Sequence, residues 1–272
     1  MNNIGIISGG GSLPLAIGRS LINKKFRVVF FVIEEFYNND LYEDLEVIII
    51  NLKSAKKIIQ LLKSNHIKNI VMAGNITRPS LSDLTFDYQT FKLAKNILLN
   101  NTGDNDLLLS IKNFFNDSGF QYFNWKEYCP DLFAKNDNLT LKKPSNMAQK
   151  NLNKALSIFK TYGKLDLGQS IIVQNKIVLG LEAVEGTDNL ILRCKHLKKS
   201  GDKGILVKLS KYKQSTILDI PTIGEQTINL LIENDYEGIY LEKNNCLILD
   251  KKKTIDLANN NKVFISTCNK IE

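Results

Sequence analysis

The sequence predicts an α/β protein of two domains, one built on a parallel sheet and one mixed. Three observations carry this. Short apolar runs alternate with helical periods through the first half, the pattern lapses between Cys129 and Pro144, and the second half resumes with hairpins among its helices. A length of 272 residues suits two modest domains, and the expected division is 1–134 and 135–272.

In the first half, Ile4 to Ser8 reads as a buried strand running into Gly9, Gly10 and Gly11. Leu13 to Lys24 is an amphipathic helix with Pro14 in its first turn, where a missing N–H does no harm. Arg27 to Ile33 and Glu46 to Ile50 are further strands, Ser54 to Asn65 a helix, and Asn69 to Ala73 a fourth strand. Helices follow near Tyr88 to Leu99 and Asp106 to Asp117. Strands separated by helices imply a parallel sheet with crossovers. Pro130, Pro144 and the polar run Lys135 to Asn138 mark a linker, and Met147 to Tyr162 is a helix. Beyond it, Ser170 to Val173 and Ile177 to Val184 form a hairpin. Asp188 to Leu197 is a helix, Gly204 to Leu209 a strand, and Ile223 to Ile232 a helix. A second hairpin turns at Lys243 to Asn245, and a short helix and the strand Lys262 to Ile265 close the chain.

Composition narrows the function. The apolar fraction of 43% supports a core, and no run approaches the ~20 apolar residues of a membrane helix. No secretory signal is legible at the N-terminus. Cys129, Cys194, Cys246 and Cys268 are widely spaced and only His66 and His196 accompany them, which disfavours a zinc site and fits a reducing, cytoplasmic compartment. The net charge of +8 is nearly all lysine and has no basic block interleaved with aromatics, so nucleic acid is not an expected partner. The charge does suit an anionic membrane surface or a phosphorylated substrate.

Four motifs stand out. Gly9, Gly10, Gly11 and Ser12 lie between a strand and a helix, the place of a phosphate-binding turn or of a ligand-free tight turn. Pro14 replaces the last glycine of the dinucleotide fingerprint, while Glu34 stands where a ribose-binding acid would sit. Gly74, Asn75 and Arg78 follow the fourth strand, and Arg78 suits either a phosphate or a structural ion pair. In Glu182-Ala183-Val184-Glu185-Gly186-Thr187-Asp188, Thr187 caps the next helix, and Glu185 and Asp188 offer hard oxygens for magnesium or complement the helix dipole. In Asp219-Ile220-Pro221-Thr222-Ile223-Gly224-Glu225, Thr222 and Glu225 have capping-box spacing, and Asp219 is either a catalytic carboxylate or part of a turn.

Together these segments, with Met72 to Pro79, Gly103 to Leu108, Leu165-Asp166-Leu167-Gly168-Gln169-Ser170 and Gly204 to Lys208, resemble the LpxI family of UDP-2,3-diacylglucosamine pyrophosphatases over nearly the whole chain. The resemblance implies a Rossmann-like N-terminal domain, an α/β C-terminal domain and a lipid-carrying UDP-sugar bound between them. It implies magnesium-dependent hydrolysis to UMP and 2,3-diacylglucosamine 1-phosphate (lipid X) in lipid A synthesis. Such an enzyme would be cytoplasmic and peripheral on the inner face of the inner membrane, and a homodimer is compatible with it. By motif, Asp219 is the essential acid, as metal ligand or base. Lys208 and Lys211 are expected to stabilise charge, and Glu185 and Asp188 to complete the metal shell. Gly9, Gly10, Gly11, Ser12, Gly74, Asn75, Arg78, Thr187, Gln214 and Thr222 are expected to contact substrate. The sequence departs from the family pattern where a proline, an acid and an arginine are replaced by Tyr212, Ser215 and Ile217. That erosion keeps open a nucleotide-sugar or lipid binder without turnover. The glycine loop and Glu34 keep open a nucleotide-dependent oxidoreductase.

Overall fold

The computed structural model describes residues 3–75, 104–165, 167–211 and 220–271. The expected helix near Tyr88 to Leu99 lies outside them. The chain divides into two compact units, Met1–Pro130 and Asp131–Glu272.

The first unit carries strands β1 (Asn3–Ser8), β2 (Arg27–Ile33), β3 (Val47–Ile50), β4 (Asn69–Ala73) and β5 (Gln121–Tyr122) in the order β3-β2-β1-β4-β5. Every pairing is parallel, as the alternation with helices demands. The helices are α1 (Leu13–Asn23), α2 (Asn39–Tyr42), α3 (Ala55–Ser64) and α4 (Asp104–Asp117). β2 is buried over six of its seven residues, which explains its unbroken Val/Phe/Ile run. Ser54 caps α3 by accepting from Lys57 N, and Ile58, Ile59 and Leu62 then face a core of Val29, Phe31, Ile50 and Phe114. This strand order is Rossmann-like.

The second unit holds α5 (Asn146–Tyr162), β6 (Ser170–Gln174), β7 (Ile177–Leu181), α6 (Gly186–Lys195), β8 (Ile205–Lys208), β9 (Thr222–Ile223), α7 (Glu225–Glu233), β10 (Gly238–Glu242), β11 (Leu247–Ile248), α8 (Lys251–Asn260) and β12 (Phe264–Cys268). Its main sheet runs β12-β10-β8-β6-β7. β8, β10 and β12 are parallel, whereas β6 is antiparallel to both β8 and β7. Alternation along β8 sends Leu206 into a core that includes residues of α6, α7 and α8, and sends Ile205 and Val207 into one with residues of α5.

Four local expectations need correction. The proposed linker is not loose: Ala134 N donates to Cys246 O at 2.9 Å, Leu139 N to Ile265 O at 2.9 Å and Thr267 N to Asp137 O at 3.0 Å. The Lys243 to Asn245 segment does not close a hairpin, because β11 leaves β10 and pairs in parallel with β9. That pairing takes Thr222 and Ile223 as strand, so α7 begins at Glu225 with Gly224 as its cap and no capping box forms. Thr187 lies inside α6, and Glu185 occupies the cap position without a side-chain bond to the amides of the helix's first turn.

Candidate active site

In the second unit, β6 runs opposite to β8, so the start of β6 and the end of β8 share one rim. Ser170 pairs with Lys208 there. Lys208 follows Leu206 on the same face, yet it is a lysine only 6% exposed. Its Nζ donates to Thr187 Oγ1 at 2.6 Å. Thr187 Oγ1 also lies 3.2 Å from Glu182 Oε1 and 3.1 Å from Ser170 Oγ. The second Glu182 oxygen accepts from Gln169 N at 3.1 Å. Gly168 makes this approach feasible, since a Cβ there would stand 2.2 Å from Glu182 O. All four polar side chains are buried. Among the described residues no carboxylate forms an ion pair with Lys208.

The other face of the same rim is organised by Glu242, the last residue of β10 and also buried. Its carboxylate accepts from Ser210 N at 2.6 Å, Ser210 Oγ at 2.7 Å and Asn245 Nδ2 at 2.8 Å, and Lys270 Nζ stands 3.7 Å away. Lys270 also donates to Ser210 O at 3.1 Å. Glu242 is therefore already satisfied and fixes the chain as it leaves β8. Burial pushes the nearby Cys246 thiol up to about 12 and does the same to Cys268. All four cysteines are free and buried, in keeping with thiols acting as small apolar groups.

Asp219 and Gln214 lie outside the described residues, as do Tyr212, Ser215 and Ile217. Lys211 is the last described residue before that stretch and is half-buried. Beyond it, Thr222 Oγ1 donates to Ile220 O at 2.9 Å and so serves its own turn. Glu185 forms an ion pair with Arg193 at 2.7 Å and accepts from Ala183 N at 3.0 Å; the arginine holds its carboxyl below the usual range. Asp188 accepts from Thr227 Oγ1 at 3.1 Å. Among the described residues no group of three His, Cys, Asp or Glu side chains converges as a metal site. Glu185 and Asp188 thus each have a protein partner.

In the first unit the two glycine-bearing loops are clamped together. Gly9 N donates to Ala73 O at 2.9 Å, Gly10 N to Asn75 O at 2.8 Å, and Asn75 N back to Gly10 O at 2.9 Å. Gly74 has φ +92°, and a Cβ there would meet Gly10 O and Gly9 C at 2.7 Å. The Gly9 and Gly10 amides are therefore engaged by backbone. Gly11 has φ +90°, and Ser12 precedes α1 without capping it. Arg78 lies outside the described residues. Glu34 accepts from Asn51 Nδ2 at 3.0 Å beside a cavity of about 260 Å³ lined also by Ile50, Lys57 and Ile58.

Sequence reasoning passed over Ser210, Glu242 and Lys270, and named Ser170 and Glu182 without selecting them. The available signal was a polar residue at the end of a buried, mainly apolar strand, as in Ser170-Ile-Ile-Val-Gln and Gly-Ile-Tyr-Leu-Glu242. A polar group so placed is buried and needs a partner.

Comparison with known proteins agrees with this two-unit layout. Residues 3–132 match the model of the LpxI N-terminal domain, and residues 135–266 match that of the LpxI C-terminal domain. A UDP-2,3-diacylglucosamine pyrophosphatase LpxI from Caulobacter vibrioides is 27% identical over 274 residues, covering 97% of each chain. With both domains matched in order along one continuous chain, the protein belongs to the LpxI family.

Proposed function

We propose that this protein hydrolyses the diphosphate of UDP-2,3-diacylglucosamine to UMP and 2,3-diacylglucosamine 1-phosphate in lipid A synthesis. Family membership supports the reaction class. The observation that carries the chemistry is Lys208, a buried ammonium with one hydrogen-bond partner among the described residues, at the carboxyl end of a parallel strand. Ligands of open α/β sheets gather at such ends. An ammonium has three donors, so two remain for phosphate oxygens.

In the proposed step, water attacks the phosphorus on the UMP side. A new P–O bond forms, the bond from that phosphorus to the bridging oxygen breaks, and the leaving sugar phosphate departs with that oxygen. The water's proton passes to a base, for which Asp219 is our candidate. Lys208 meets charge that builds on the phosphoryl oxygens and does so in a site shielded from water, where a fixed donor is most effective. Lys211, the next described lysine along the chain, is a second candidate for that charge. Glu185 and Asp188, engaged by Arg193 and Thr227, do not fit a ready magnesium shell. Magnesium remains our proposed cofactor on the strength of the family motif around Asp219.

The test is incubation of purified protein with the diacylated UDP-sugar in oxygen-18 water, with magnesium or with chelator. Label in UMP is expected, and label in the sugar phosphate would place the attack on the wrong phosphorus. Full turnover in excess chelator would remove magnesium from the proposal. Lys208→Ala is expected to lose about 10²–10³-fold in turnover, as for removal of an oxyanion donor. The apolar side chains Leu165, Leu167 and Val184 are exposed around the same end of the β6–β7 hairpin. With a net charge of +8 they favour contact with an anionic lipid surface. Sedimentation with anionic vesicles that does not weaken in salt would count against a role of the charge in such contact.

A further inference from the structure

Lys208, Glu182 and Ser170 meet at one hydroxyl, and the chemistry of that hydroxyl fixes the direction of each bond. Threonine Oγ has one proton and two lone pairs. Lys208 Nζ can only donate, across 2.6 Å. Glu182, as a carboxylate, can only accept, so the Thr187 proton lies on the 3.2 Å line to its Oε1. The remaining lone pair takes the Ser170 proton across 3.1 Å. The hydroxyl is then saturated and cannot rotate without breaking a bond.

We propose that Glu182 and Thr187 are positioning residues for Lys208. The carboxylate orients the threonine hydroxyl, which in turn holds the ammonium at the end of β8 with two N–H donors available to phosphate oxygens. This rests on the role of Lys208 given above. The separation by one hydroxyl matters. A carboxylate touching the ammonium would neutralise it and compete with an anionic substrate, whereas at one remove it orients the lysine without quenching its charge. Glu182 is itself held at its other oxygen by Gln169 N, and Gly168 permits that loop to close on it. The Gly168-Gln169-Ser170 segment thus serves the lysine from two sides.

The experiment compares the full-length wild type with Thr187→Val, Thr187→Ser, Glu182→Gln and Lys208→Ala. UMP release gives kcat and KM. The rate at which acetic anhydride acetylates Lys208 at fixed pH, read by mass spectrometry, reports the lysine directly and needs no turnover. Thr187→Val and Glu182→Gln are expected to lower kcat about tenfold or more, with KM changed by less than about threefold. Both should raise the Lys208 acetylation rate at least about threefold, because the ammonium is no longer held. Thr187→Ser keeps the hydroxyl and is expected to recover most of what Thr187→Val loses in both readouts. Glu182→Gln preserves shape but turns one end of the group into a donor, so it remains informative if Thr187→Val does not fold. Wild-type kcat and acetylation in both Thr187→Val and Glu182→Gln overturn the positioning role. So does a Thr187→Ser loss as deep as that of Thr187→Val. A fully active Lys208→Ala overturns instead the underlying assignment of Lys208.

Discussion

Replacing Lys208 with methionine should move stability and activity in opposite directions. Methionine keeps the length and apolar stem of lysine and removes the charge. Lys208 is 6% exposed, and among the described residues its ammonium has Thr187 Oγ1 as its one hydrogen-bond partner and no ion pair. Holding an ion in such a place costs several kcal/mol after relaxation, of which a charged hydrogen bond returns about 1.5–3 kcal/mol. The variant loses that bond and leaves one Thr187 lone pair unused, a penalty of about 1 kcal/mol. The net expectation is a gain of about 1–3 kcal/mol for the second unit. For a unit of this size that is an upward shift of roughly 2–10 °C in its melting transition. Over the same substitution UMP release should fall about a hundredfold or more, equivalent to about 2.7 kcal/mol of lost transition-state stabilisation. Differential scanning calorimetry and a coupled UMP assay measure the two effects. A variant that melts several degrees below wild type would refute the reasoning, because the ammonium would then be a structural cation. Wild-type turnover would refute it from the functional side.

Gly74→Ala should destabilise the first unit by about 2–5 kcal/mol, combining backbone strain with a clash against the Gly9–Gly10 backbone. Trp125, the single tryptophan and buried in that unit, reports its urea unfolding, and an unchanged midpoint would discount the clamp. The Arg193 guanidinium depresses the Glu185 carboxyl, so the stabilisation it gives is present above the ordinary carboxylate range and is lost as pH falls through the depressed value. The pair is partly exposed and screened, so Glu185→Gln should destabilise by less than about 1 kcal/mol near neutrality, with the difference closing in acid. A gap that widens in acid would contradict this sign. With Cys246 and Cys268 pushed up to about 12 by burial, the native protein should resist Ellman's reagent at mildly alkaline pH and show four thiols only when unfolded. A fast-reacting native thiol would contradict the burial.

The parallel sheet of the first unit was legible because its strands are continuous apolar runs and Ser54 and Pro14 mark helix starts. Arg27–Ile33 and Asn69–Ala73 are strands with the bounds their residues suggested. What escaped was pairing at a distance. Nothing local to Thr222 announces that Leu247 will take it into a strand, and that contact overrides its capping spacing with Glu225. The site shows the same division. Lys208 drew notice through the Gly204 to Lys208 stretch that resembles the family and as a lysine able to meet phosphate charge. Ser170 and Glu182 gain their meaning from the antiparallel register of β6 with β8 and β7, which no short motif encodes. The capping role expected of Thr187 does not hold: its hydroxyl faces a lysine 21 residues away and not its own helix end.

The tethering of residues 133–140 has a consequence for how this chain avoids sticking to itself. Asn138 bridges to Ser266, and Leu139 N reaches Ile265 O, so the outer side of β12 is lined by backbone before any neighbour can add a strand. Phe133 bridges in the same way to Leu247 of β11. A fragment of the second unit begun at Lys135 would lose the Phe133 bridge and bare an apolar edge. Begun beyond Leu139, it would bare β12 as well. Such fragments should precipitate where one begun at Asp131 stays dispersed, so the stretch that read as a linker acts as a selvedge.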